Sequence, residues 1–127
     1  MKKIALVDDD VDFSEATKLL LQSKGYEVVL AHDGKEGLDM IRSERPDLII
    51  LDVMMPEMNG YDVCVVLKED EALKDIPVIL LTAVDQAFFR TTYSKHMGLM
   101  TEADEYIAKP VASEDLVACV ESFMREA

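Results

Sequence analysis

The chain has 127 residues, half of them hydrophobic, which suits one domain with a real core. Its 26 acidic residues against 13 basic ones give a formal net charge of −13, which argues against a nucleic-acid surface or adsorption to anionic lipid. A divalent cation or a basic partner fits that balance better, and much of the remaining acid is solvated surface.

In chain order, the apolar run at the N-terminus is too short for a signal peptide or a membrane span, so a cytoplasmic location is expected. Residues 4–7 read as a buried strand, and a helix follows over about 13–24, stopped by Gly25. Residues 26–30 are β-branched enough for a second strand. Residues 34–44 read as a helix with Leu38 and Ile41 facing inward and Pro46 just beyond it. The third strand is 48–51, apolar throughout, and 56–60 is turn chemistry before a helix over 61–69. A fourth strand at 78–81, a helical stretch over about 85–96 and a short strand at 106–108 come next. Ser113 is placed to cap a last helix, with Glu114 and Asp115 in its first turn and Leu116, Val117, Val120 and Phe123 on its apolar face. No repeat, low-complexity segment or linker divides the chain, so a single domain over 1–127 is expected. Five buried strands alternating with five helices imply a parallel sheet covered on both sides. In such sheets the functional crevice lies at the carboxyl ends of the strands.

The polar residues that directly follow strands are Asp8 and Asp9, then Asp52, Thr82 and Lys109. Each alone has a plain explanation, as a helix cap or a packed threonine. On one rim of a parallel sheet they form a set, because fixed geometry rewards them jointly. Three carboxylates held together repel one another, and a hard divalent cation such as Mg²⁺ resolves the repulsion. Asp52 is then a carboxylate nucleophile able to form an aspartyl phosphate. Lys109 offsets charge on the transferring group, and Thr82 can hydrogen-bond a phosphoryl oxygen.

Competing readings fail on particular positions. Asp8, Asp10 and Asp12 have the opening spacing of an EF-hand loop, but Phe13 stands where the glycine is needed and Leu19 where the closing glutamate is needed. A haloacid dehalogenase-like phosphatase would use Asp8 of Asp8-Asp9-Asp10 as its nucleophile, but usually needs a longer chain and a further acidic pair. An interaction domain that has lost phosphorylation is disfavoured because every expected acid is present. Cys64 and Cys119 read as buried thiols, His32 and His96 as surface or loop residues, and the methionines as core filler with Met54 the exception by position.

Four segments carry a resemblance that spans nearly the whole chain: Ile4-Ala5-Leu6-Val7-Asp8-Asp9-Asp10, the run from Asp47 to Gly60 around Leu51-Asp52-Val53-Met54-Met55-Pro56, Leu81-Thr82-Ala83, and Tyr106-Ile107-Ala108-Lys109-Pro110. Together they resemble the receiver domains of two-component response regulators. The resemblance implies a flavodoxin-like sheet of order 2-1-3-4-5. It implies that Asp52 takes a phosphoryl group from a histidine kinase or phosphotransfer protein, and that Asp8, Asp9, Asp52 and the Met54 backbone carbonyl hold Mg²⁺. It also implies that Thr82 and Tyr106 rearrange on phosphorylation, that the Lys109–Pro110 bond is cis, and that the signal passes to a downstream protein or fused effector domain. Between Thr82 and Tyr106 the chain is several residues longer than a minimal member of the family, and residues 97–105 replace the usual Gly-Ala-Asp-like turn.

Overall fold

The computed structural model describes residues 2–55, 58–82, 103–109 and 112–124. Strands β1 (Lys3–Val7), β2 (Glu27–Ala31), β3 (Leu48–Asp52), β4 (Val78–Thr82) and β5 (Glu105–Ala108) form one sheet in the order β2-β1-β3-β4-β5, parallel at every pairing. Helices α1 (Val11–Ser23), α2 (Gly34–Glu44) and α3 (Gly60–Glu69) follow the first three strands, and α4 (Ser113–Met124) follows β5. These are four helices among the described residues, not the five expected. The helix expected at 85–96 and the Lys109–Pro110 bond lie outside those residues.

The sheet is two-sided because its strands are apolar at consecutive positions, not at alternate ones, with a polar residue only at one end of each. Odd and even residues of one strand enter different cores. Ala5, Val7, Ile49 and Leu51 pack with α2 and α3 on one face, through Ile41 and Leu67 among others. Ile4, Leu6, Leu48 and Ile50 pack with Leu21 of α1 and Val120 of α4 on the other. None of the described helices is long and apolar enough to cross a membrane.

Helix ends are set by local chemistry. Asp10, Asp33 and Asn59 cap α1, α2 and α3, their side chains accepting the N–H of Phe13, Glu36 and Asp62. At the end of α1, Gly25 takes φ +96°, its N–H donates to the Gln22 carbonyl and the Tyr26 N–H to the Leu21 carbonyl. That closing turn uses Tyr26, so β2 starts at Glu27, one residue later than its β-branched run suggests. At α4 the N–H groups of Asp115 and Leu116 donate to the Ala112 carbonyl. Ala112 thus holds the cap position and Ser113 is the first helical residue, a correction to the expected capping. Cys64 is buried as expected, while Cys119 is only half-buried; both are free thiols.

Candidate functional site

The rim at the carboxyl ends of the strands is built by strand parity. Asp8 continues the Ile4–Leu6 series and Asp52 the Leu48–Ile50 series, so both carboxylates leave the sheet on the α1 side. Thr82 belongs to the opposite series with Leu80, which pairs with Tyr106 across the β4–β5 ladder. Asp8 and Asp52 therefore lie on one face of the sheet and Thr82 on the other, with Tyr106 on that second face two residues before the end of β5.

Asp8 is fully buried and Asp52 is 3% exposed, while Asp9 stands in solvent. Carboxylate oxygens of all three lie within 4.8 Å of one another. Asp8 uses both oxygens: Oδ1 accepts the Asp10 N–H at 2.9 Å, and Oδ2 accepts from Lys109 Nζ at 2.8 Å. Lys109 Nζ is also 3.7 Å from Asp52 Oδ2 and 4.8 Å from the centroid of the Phe13 ring. Asp52 Oδ1 accepts the Met54 N–H at 3.3 Å, and the Met54 side chain is exposed.

Electrostatics follow from this packing. Burial, then the neighbouring Asp8 charge, pushes the Asp52 carboxyl from 3.8 up to about 7, against the opposing pull of Lys109 and the Met54 amide. Burial alone would lower the Lys109 ammonium, but its bond to Asp8 and the charges of Asp52, Asp8 and Asp10 hold it above its ordinary value. Burial also raises the Tyr106 phenol. Thr82 is buried at the end of β4, and its carbonyl accepts the Lys109 N–H at 2.6 Å, which fixes the start of the loop carrying the ammonium.

Gly60 holds the loop after Asp52 tight. A Cβ there would stand 2.5 Å from the Asp52 carbonyl oxygen and 2.9 Å from Val53 Cα, both rigid backbone. Gly60→Ala is expected to destabilise the fold by about 1–3 kcal/mol, the usual range for overpacking, as read from urea unfolding.

The structure thus brings together Asp8, Asp9, Asp52 and Lys109, with Met54 beside them, Thr82 at the same rim on the other face and Tyr106 below it in β5. Two neighbours were not singled out in the sequence. Phe13, on the first turn of α1, gives Lys109 an aromatic face. His32, read from sequence as a surface or loop residue, has its Nδ1 3.0 Å from the Asp8 carbonyl. Asp10 does not join the cluster because it is occupied as the α1 cap.

Residues 4–121 match the family described as the response regulator receiver domain. The chain belongs to that family. This receiver is 43% identical over 123 residues to the response regulator MprA of Mycobacterium avium (strain 104), covering 97% of this chain and 51% of that protein. The chain spans about half the length of the curated relatives it matches. It is similar in structure to the signal receiver domain of a signal transduction histidine kinase from Syntrophus aciditrophicus, with a TM-score of 0.86, 34% identity, and coverage of 100% of this chain and 96% of that one. It is also similar to the response regulator TrrA from Thermotoga maritima in complex with Mg²⁺-BeF, with a TM-score of 0.80, 35% identity, and coverage of 97% and 99%. The receiver is a signalling domain of two-component systems, and the haloacid dehalogenase-like alternative finds no support in these matches.

Proposed function

We propose that this receiver stores a phosphoryl group on Asp52, beside a Mg²⁺ ion held by Asp8, Asp9, Asp52 and the Met54 carbonyl. The observation that carries the reading is the excess of carboxylate: among the described residues, three acids with oxygens within 4.8 Å of one another face one ammonium, Lys109. Hard oxygen donors in that excess suit a divalent cation that keeps some of its waters. The ion, when bound, neutralises charge on the phosphoryl oxygens. The relative TrrA is described in complex with Mg²⁺-BeF, which agrees with this assignment.

In the transfer, an Asp52 carboxylate oxygen bonds to the phosphorus of a phosphohistidine on a kinase or phosphotransfer protein. The phosphorus–nitrogen bond breaks, and its electron pair and a proton go to the departing imidazole. Lys109, already among the acids, offsets negative charge on the arriving group. The Thr82 hydroxyl then donates to a phosphoryl oxygen, and the half-buried Tyr106 ring packs inward, so that two arrangements of the β4–β5 face become distinguishable to a downstream protein or effector domain. Histidine kinase, effector and a cytoplasmic location belong to this proposal, as do the roles of individual residues.

Incubation with acetyl phosphate and Mg²⁺ tests it. The expected result is a gain of ~80 Da, one phosphoryl group on a carboxylate, mapped to the peptide containing Asp52. A label on Asp8, or none at all, would overturn the assignment.

A further inference from the structure

The β1–β2 ladder runs in register to Val7 and Ala31, and one rung further the Asp8 N–H donates to the Ala31 carbonyl at 3.1 Å. A continued parallel ladder would next bring the N–H of residue 33 to the Asp8 carbonyl. It cannot, because Asp33 turns the chain into α2 as its cap, its side chain accepting the Glu36 N–H at 2.7 Å. The ring of His32 stands in that place, with Nδ1 3.0 Å from the Asp8 oxygen. A carbonyl only accepts, so Nδ1 carries the proton and the neutral ring is the Nδ1–H tautomer. Ser14 Oγ also reaches this oxygen, at 3.3 Å, but it is 2.8 Å from the Asp10 carbonyl and belongs mainly there.

The segment bearing His32 is itself pinned. Gly34 packs so closely on the Met58 carbonyl that a side chain there would collide with it. The loop from His32 to Gly34 is therefore wedged between the turn carrying Asp8 and Asp9 and the loop that follows Asp52. Both oxygens of the Asp8 side chain are already engaged, so what fixes the Asp8 peptide fixes where Asp8 and Asp9 present their carboxylates.

We propose that His32 is a positioning residue of the acidic pocket, its Nδ1–H holding the Asp8 carbonyl and so setting the pocket's affinity for a divalent cation. The proposal rests on the metal site of the preceding reading. Its role is that of an outer partner, which tunes a metal site by orienting what binds it.

Two measurements on the whole chain test it. Nitrogen-15 NMR of the metal-free protein at about pH 8, where an ordinary imidazole is neutral, is expected to show His32 as the Nδ1–H tautomer. Calorimetric titration with Mg²⁺ is expected to show affinity lowered about tenfold in His32→Ala, at the low end for loss of an outer partner. His32→Asn places an amide donor where Nδ1–H stood and is expected to restore affinity to within about twofold. Thermal unfolding of the metal-free variants separates this from a loss of fold: rescue of affinity by Asn at equal unfolding temperatures supports positioning. The Nε2–H tautomer, or unaltered Mg²⁺ affinity in His32→Ala, overturns the proposal while leaving the metal site standing. Should His32→Ala fail to fold, the tautomer and the Asn variant decide. Wild-type protein that binds no Mg²⁺ overturns the metal site and this proposal together.

Discussion

Asp52→Asn is expected to abolish phosphorylation by acetyl phosphate and, at the same time, to make the metal-free protein harder to unfold above neutral pH. The first effect follows from removing the carboxylate oxygen proposed as the nucleophile. The second follows from Asp52 being pushed up to about 7 in the fold, from an ordinary value of 3.8, by burial and by Asp8. A carboxyl raised in this way binds its proton more tightly folded than unfolded. Its stabilising share is complete below the unfolded value and is lost as pH climbs through the folded one. Above about 7, the wild type therefore carries a buried charge that the asparagine variant lacks. Thermal melts without Mg²⁺ should give the variant the higher midpoint at alkaline pH. The two should converge toward the acid end, where Asp52 is neutral in both states. A variant that melts at the wild-type temperature throughout would show that Asp52 is not strained in the metal-free fold.

The affinity for Mg²⁺ is expected to fall nearly tenfold for each pH unit below about 7 and to level off above it. The cation needs the ionised carboxylate, and below that pH a proton must leave Asp52 before it binds. Calorimetry in two buffers of different ionisation heat should count one proton released per ion on the acid side and almost none on the alkaline side. In Asp52→Asn that release should vanish along with the slope. A flat profile in the wild type would mean that Asp52 is already ionised in the metal-free pocket.

Most of the architecture was legible because the strands are apolar on both faces and each is followed by turn or cap residues. The acids were legible for a related reason: a charge placed directly after a buried strand has few places to go except the rim. What escaped depended on registers that no single stretch encodes. Asp10 looks like its two neighbours in sequence, and only its bond to the Phe13 N–H separates a cap from a ligand. His32 lies 24 residues from Asp8, and its contact exists because β2 ends one rung beside β1. Phe13 shows no periodic signal for its contact with Lys109, since the two come from opposite ends of the chain. The start of α4 was misjudged because serine is the stronger cap by type, whereas the backbone gives that position to Ala112.

The ion pair between Asp8 and Lys109 joins residues 101 positions apart, across a sheet whose central strands must already be in place. Parallel pairings of this separation form slowly, because the loop must close before the contact returns any stability. During synthesis, Asp8, Asp9 and Asp52 all leave the ribosome well before Lys109. Until β5 docks, the nascent chain holds three acids without the cation that the finished fold supplies. The Asp8–Lys109 pair therefore forms only after β5 and the residue that follows it have been made. In the meantime the mutual repulsion of these acids is left to solvent and salt to screen.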